Sequence, residues 1–409
     1  MSLESAAVTI ADQIRRQEFV EVFAHHDADG IAAASILCHA MLRAGIRFRV
    51  RVRAEISTAD LAGDSAILLC DIGSGMEKLP HSVMVVDHHL PLFDGEFHVN
   101  PRLAGIDGDR ELSAAGTAYI VAQQMGDNRD LAGLVICGII GDGQEMAGKN
   151  LEIFNEAIAN GIIVPDRGIT LPGRDMTERW YTATSPYLDG ISGQEQHITD
   201  LVERAQDKAT GSNNLRLDSL LSHVVLDAAP ATAPASLQAI YGDTYHLQRE
   251  VIDDGHSLTA VIDACGKTGN GDIGATLCMR SSHYVDQAWE IARKHRVNAI
   301  DSVMTAQPHE GMTGVYEVKD ATLASDVADI LARDRVTALP VVAYARSGDS
   351  CKVSVRAPAG TSAELGPRVR DLALACGGNG GGHNLRAGAT IPCDKIGMFV
   401  KGWQEGLAA

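Results

Sequence analysis

The sequence predicts an α/β protein, a parallel-sheet domain followed by a smaller α+β domain, and three observations carry that prediction. Short uninterrupted apolar runs recur through the N-terminal part, the pattern of strands buried on both faces. Helix-forming stretches separate them, the βαβ rhythm of a covered parallel sheet. The last third changes texture, with alternating strands around tight turns and a cluster of glycines near its end. At 409 residues the chain has room for two or three domains and a sizeable core.

Residues 1–18 predict a short helix ahead of the first strand, Phe19-Val20-Glu21-Val22-Phe23-Ala24, which runs into His25-His26-Asp27-Ala28-Asp29-Gly30. A helix over 31–42 stops near Gly45. Residues 47–53 alternate arginine with apolar residues, so Arg47, Arg49, Arg51 and Arg53 share one strand face. An edge strand guarded by charge is the favoured reading of that row, ahead of a basic ledge for phosphates. Residues 66–70 form a strand ending on Asp71, and 82–86 a strand ending on Asp87-His88-His89. Residues 134–141 read as a fourth strand, ending on Asp142.

Helices are expected from Ser113 and from Asn150, and residues 165–190 read as a long loop. Ser192 with Glu195 three residues on matches a capping box that opens a helix. Residues 206–236 are weakly periodic. The expected division is therefore 1–205, a connection over 206–245, and 246–409. In the last part, strands over 336–344 and 351–356 flank a turn, a helix covers 364–375, and the glycine-rich 376–383 leads to a strand ending at Ile391 and a final helix.

Composition narrows the classes. With 45% hydrophobic and 22% charged residues the chain reads as soluble and globular. The longest apolar stretch, 131–141, is shorter than the roughly 20 residues a membrane span needs. No basic-then-apolar pattern opens the sequence, so no secretory signal is expected. Eight scattered cysteines without a C-x-x-C pair disfavour zinc knuckles and thioredoxin chemistry and fit a reducing cytoplasm. A net charge of −18, from 53 acids against 35 bases, disfavours a coat for non-specific DNA binding. A polyanionic substrate held through metals and a local basic patch remains compatible.

Four apolar runs each finish on Asp or His. Ligands of open α/β sheets sit beyond the carboxyl ends of the strands, so these residues are expected at one edge. If the chain stays extended past Ala24, His25, Asp27 and Asp29 point to one side. Carboxylates with imidazoles and no thiolate suit Mn²⁺ or Mg²⁺. The candidate ligands His25, Asp27, Asp29, Asp71, His88 and Asp142 exceed the need of one ion and fit two ions sharing a bridging carboxylate. Such a pair stabilises the attacking and leaving oxygens of an in-line displacement at phosphorus. Asp87 is suited to orient a neighbouring histidine, and His89, if not a ligand, contacts the phosphate or leaving oxygen. Asp87, His88 and His89 form the candidate catalytic centre. Taken singly, each strand-end Asp has an ordinary reading as a helix cap; the ordinary reading is weak for the set. Gly266-Lys267-Thr268 is not a phosphate loop, because Val261 occupies the place of its first glycine, and the G-x-G-x-x-G at 269–274 lacks a clean preceding strand.

The blocks at 25–30, Asp71, Asp87-His88-His89 and Asp142 resemble the four motifs of the DHH phosphoesterase superfamily. Gly380-Gly381-Gly382-His383 resembles the signature of its C-terminal DHH-associated domain. Residues 100–108, 190–193 and 263–269 resemble archaeal RecJ-type exonucleases. The resemblance implies the six metal ligands named above, with Asp71 as the bridge, and His89 and Asn100 as substrate contacts. It also implies that Gly380, Gly381, Gly382 and His383 hold a phosphate or terminal nucleotide. Backbone N–H groups of such glycines can curl into an anion nest. Arg356, on one strand face with Lys352 and Ser354, is a further implied contact. Arg386 departs from the family, which has a small residue there. The implied activity shortens single-stranded DNA or RNA from an end, with two divalent ions, Mn²⁺ first and Mg²⁺ second. Its alternatives are a phosphodiesterase of oligoribonucleotides or cyclic dinucleotides, and a replication scaffold that binds the GINS complex.

Overall fold

A computed structural model describes residues 2–57, 59–63, 65–76, 79–205, 216–335, 337–358, 360–382 and 384–406. The chain begins with α1 (Leu3–Arg15), β1 (Phe19–His25), α2 (Ala28–Arg43), β2 (Arg47–Arg53), β3 (Ala66–Cys70), β4 (Met84–Val86) and β5 (His98–Val99). Next come α3 (Ala114–Met125), α4 (Ala132–Asp142), α5 (Gly148–Ala159), β6 (Ile163–Ile169), α6 (Met176–Tyr181), α7 (Glu195–Arg204), α8 (Leu217–Ala228) and α9 (Pro234–Gln238). They lead to β7 (Tyr241–Leu247), α10 (Gly255–Lys267), α11 (Gly271–Cys278), α12 (Val285–Thr305), β8 (Gln307–Pro308), β9 (Val315–Glu317) and α13 (Ala324–Arg333). The chain ends with β10 (Val341–Ser347), β11 (Ser350–Arg356), α14 (Leu365–Ala375), β12 (Asn379–Gly382), β13 (Arg386–Pro392) and α15 (Ile396–Glu405).

Two compact units result, Met1–Pro172 with Asp243–Arg293, and Gly173–Gly242 with Lys294–Ala409. The sequence division at 205 and 245 cuts elsewhere. It misses that α10 and α11 pack on α2 and α4, which returns residues 243–293 to the first unit.

The first unit is built on a parallel five-stranded sheet, β2-β1-β3-β4-β5. Side chains alternate across it. Val20, Val22, Ala24, Leu68, Cys70, Met84 and Val86 enter the main core with the helices, while Phe23, Ile67, Leu69 and Val85 form a smaller cluster opposite. Helix α2 is buried from Ala28 to Met41, and its many alanines permit close packing by α3, α4, α10 and α11.

Four local expectations are corrected. The chain does not stay extended past His25, because Asp27 caps α2 by accepting from the Gly30 N–H at 3.0 Å. Residues 134–141 are no strand but most of α4; an apolar run buried on all sides satisfies either period. Residues 165–190 contain β6 and α6. The capping box does not form, since Gln194 stands at the cap of α7 and the Ser192 hydroxyl accepts from the Leu188 N–H at 3.0 Å.

The second unit holds a mixed six-stranded sheet, β12-β13-β11-β10-β9-β8, in which only β9 and β10 pair parallel. Val342, Tyr344, Val353 and Val355 pack with Val369, Phe399 and Trp403 on one face. Val341, Ala343 and Ala345 pack with Val303, Val327 and Leu331 on the other. The glycine-rich segment is not a curled nest: Asn379–Gly382 is an edge strand paired with β13.

Candidate metal centre

Parallel pairing levels the strand ends. Ala24 lies opposite Cys70, and Cys70 opposite Val86, so His25, Asp71 and Asp87-His88-His89 leave the sheet at one edge. The first turn of α2 adds Asp29, and the last residue of α4 adds Asp142. A helix end thus supplies the carboxylate expected from a fourth strand.

Three groups of donors, each with its atoms within 4.8 Å of one another, meet here: His25 with Asp27 and Asp71, Asp71 with His88 and His89, and Asp29 with His88 and Asp142. The His25 Nδ1 lies 2.7 Å from Asp27 Oδ2 and 3.3 Å from Asp71 Oδ2. The His88 Nε2 lies 3.3 Å from Asp71 Oδ1, 3.3 Å from Asp142 Oδ2 and 3.8 Å from Asp29 Oδ2. Asp71 therefore turns one oxygen to each side.

Burial sets the electrostatics. It pushes the Asp142 carboxyl up to about 6, with Asp71 adding to the effect and His88 opposing it. Burial also lifts Asp29 well above the carboxylate range, aided by Asp142 and Asp71. Burial works to lower the His25 and His88 imidazoles, but neighbouring aspartates outweigh it and hold both well above their usual value. Burial works to raise Asp27, and the charge and hydrogen bond of His25 overcome it. This concentration of acids around imidazoles is the charge pattern of a cation site.

The donors fit a metal. Buried Asp71 Oδ1 and Asp142 Oδ2 have no hydrogen-bond partner among the described residues, whereas buried polar atoms ordinarily have one. The set is oxygen-rich with imidazole and without thiolate, which suits Mn²⁺ or Mg²⁺.

Surrounding residues fix the donors. The His88 Nδ1 donates to the Gly108 carbonyl at 2.5 Å, which leaves Nε2 as the atom facing the acids. Gln144 donates to the same carbonyl at 2.9 Å and is braced by Asn150 at 2.8 Å. Asp87 accepts from the N–H groups of Ser74, His88 and His89 and from the His89 ring at 2.8 Å. Burial works to raise Asp87, yet His89 and these donors hold it well below its ordinary value. Asp87 therefore orients His89. Asp29 accepts from Ala114 and Ala115 at the start of α3, at 2.7 and 2.8 Å, where the helix dipole favours an anion.

His25, Asp27, Asp29, Asp71, Asp87, His88, His89 and Asp142 are thus brought together. Asn100, expected to touch substrate, is 2% exposed. Its amide donates to Ser74 Oγ and the His89 carbonyl at 3.0 and 2.9 Å and so braces the His89 backbone. Arg356, Gly380, Gly381 and Gly382 belong to the second unit. There Arg356 donates to Asp329 at 2.9 Å and to the Ala387 carbonyl at 3.1 Å. Arg386 lies 3.6 Å from Asp329, which makes it a partner of the same acid. His383 lies outside the described residues. Sequence reasoning missed Ser74, His98, whose Nε2 lies 2.8 Å from Ser74 Oγ, and Gln144; Ser74 stands in Gly73-Ser74-Gly75, which follows Asp71 after Ile72, a turn signal at a strand end.

The fold and the site define a DHH-type phosphoesterase architecture with a mixed-sheet second unit. The DHH family N-terminal domain matches residues 20–139 and the DHHA1 domain residues 313–405; in that order they make the chain a DHH-superfamily protein with a RecJ-like fold. It is 27% identical over 416 residues to the uncharacterized protein MJ0831 of Methanocaldococcus jannaschii, covering 94% of this chain and 92% of that one. RecJ of Thermus thermophilus in complex with Mn²⁺ superposes with a TM-score of 0.62 at 18% identity, over 99% of this chain and 54% of that one. The chain therefore spans about half the length of that RecJ. CDC45 of Entamoeba histolytica superposes with a TM-score of 0.65 at 9% identity, over 100% and 99% of the two chains. Among the described residues no helix is long and apolar enough to cross a membrane.

Proposed function

We propose that this protein is a metal-dependent phosphodiesterase that shortens single-stranded DNA or RNA from an end. The observation that carries the reading is Asp71, whose two carboxylate oxygens face separate donor groups. In this reading His25, Asp27 and Asp71 would hold one divalent ion, and Asp29, Asp71, His88 and Asp142 would hold another, Mn²⁺ first and Mg²⁺ second. RecJ of Thermus thermophilus has been seen with each. When bound, the ions supply a nucleophile at neutral pH and offset the charge that builds at phosphorus.

The chain's own residues then orient and protonate. Asp87 fixes the His89 ring through Nδ1, and with its side chain 37% exposed the ring can offer a proton from Nε2 to a phosphate or leaving oxygen. His88 is locked by Gly108, so its Nε2 is committed to the acids. Gly380, Gly381, Gly382 and His383 remain the proposed contacts for the terminal nucleotide.

Digestion of end-labelled DNA and RNA, single-stranded and blunt duplex, with Mn²⁺ and with chelator, tests the reading. Metal-dependent release of short products from single strands is the expected result. A chain that leaves every substrate intact in Mn²⁺ and Mg²⁺ would sink it. Comparing a long strand with a dinucleotide separates the small-substrate phosphodiesterase. The second reading, a replication scaffold docking on the GINS complex, draws on the end-to-end overlap with the CDC45 fold; tight GINS binding without cleavage would favour it. The full donor set argues for catalysis.

A further inference from the structure

We propose that the arginine row of β2 is a track for the sugar–phosphate backbone of a single strand whose end lies at the metal centre. The inference rests on the nucleic-acid reading above and extends it to a surface outside the donor set. Strand β2 pairs in parallel with β1, and the register sets Arg47 beside Phe19, Arg49 beside Glu21, Arg51 beside Phe23 and Arg53 beside His25. The row therefore ends level with the first metal-ligand candidate. With a rise of about 3.3 Å per residue, successive arginines stand ~6.6 Å apart and the row runs ~20 Å from the site. That interval is comparable to the phosphate repeat of an extended single strand.

The row is presented outward. Phe48, Val50 and Val52 turn the other way and pack against the main core, and a Cβ on Gly271 would come within 2.5 Å of Val52, so α11 covers that side. Arg47 and Arg53 are exposed, and the Arg49 side chain is 57% exposed. Glu21 engages the middle of the row, pairing with Arg49 and lying 3.3 Å from Arg51. Arg51 also sits 5.9 Å over the Phe23 ring. Among the described residues neither Arg47 nor Arg53 forms an ion pair. Glu21 thus holds the central arginines in place while Arg47 and Arg53 stay exposed, with Asp60 a further acid whose charge reaches Arg53 and Arg51.

Guarding an edge strand requires charge of either sign. It does not require four residues of one sign, all arginine, in a chain of net charge −18. Arginine's planar fork matches phosphate oxygens in a way lysine's point charge does not.

The test uses the full chain, with Arg47→Gln/Arg53→Gln as a double variant and Arg47→Glu as a second. Binding of a fluorescent long oligothymidylate is followed in chelator across a salt series, beside Mn²⁺-dependent cleavage by the wild type. The double variant is expected to bind several-fold more weakly and to lose about 1.4 from the slope of log affinity against log salt, ~0.7 for each phosphate contact removed. Arg47→Glu should weaken binding while the protein stays monodisperse, since its edge remains charged. Wild-type affinity and slope in both variants would overturn the track and leave the exonuclease reading in place. Salt-dependent binding that the variants weaken, without any cleavage by the wild type, would sustain the track and overturn the exonuclease reading.

Discussion

Asp71 sits at a φ of 61°, in the left-handed region that costs a non-glycine residue roughly 1–3 kcal/mol unless its surroundings impose it. They do impose it. Its N–H continues the β3–β4 pairing by donating to the Val86 carbonyl at 2.9 Å, while its side chain is 1% exposed among His25, His88 and His89. Asp71→Ala should remove both halves of the donor set and reduce Mn²⁺-dependent hydrolysis by more than the ~100-fold typical of lost outer ligand supports. Full activity in that variant would reject the assignment. Glycine matters at two points nearby. A Cβ on Gly138 would stand 2.1 Å from Asp29 Oδ1, and one on Gly266 would stand 1.6 Å from the His26 carbonyl oxygen. Gly138→Ala should therefore weaken Mn²⁺ affinity about tenfold by shifting Asp29, read by metal titration of the purified variant. Gly266 is explained by this backbone contact, which accounts for the Gly-Lys-Thr sequence without a phosphate loop.

At the scale of elements, Asp130 joins three of them. It accepts from Arg43 at the end of α2 at 2.8 Å and from Arg280, just past α11, at 2.5 Å, and it lies two residues ahead of α4. Burial works to raise its carboxyl, but the two arginines outweigh that and hold it below the ordinary range. A carboxyl lowered by folding contributes stability that is complete above its unfolded pKa, ~3.9, and disappears as pH falls through the folded value. Asp130→Asn should thus cost about 2 kcal/mol at neutral pH, with the gap to wild type narrowing below about pH 4. Urea denaturation of both proteins at neutral and acid pH checks this, and a gap independent of pH would refute it. The strands that deliver donors were legible because β1, β3 and β4 are short apolar runs that stop on polar residues. Helix α4 was not, because its apolar residues face core on every side and leave no polar stripe to report a period of 3.6. The edge strand β12 escaped for the opposite reason: four residues without apolar side chains carry no alternation at all. In the site, the residue types legible at strand ends were the donors, while Gln144 and His98 act through contacts 36 and 24 residues away that local pattern cannot register.

On the scale of the whole molecule, every candidate metal donor belongs to the first of the two units. The second unit has its own cores, and its sheet gathers none of these donors. Metal should therefore act on stability unevenly. A ligand that binds only the native state stabilises it by an amount set by its concentration over Kd, about 2.7 kcal/mol at a hundredfold excess. The donors come from the end of β1, the cap and first turn of α2, the residue after β3, the segment after β4 and the end of α4, which are spread over more than a hundred residues of sequence and meet only once the first unit has folded. Unfolding that unit would release any metal held there. Calorimetry with increasing Mn²⁺ should raise the transition that belongs to the first unit and leave the heat absorbed by the second in place. Asp71→Ala should show no such rise at the same Mn²⁺ concentrations. Equal Mn²⁺ shifts in wild type and Asp71→Ala would mean that the ion acts elsewhere, and the convergence of donors on Asp71 would then have no part in holding it.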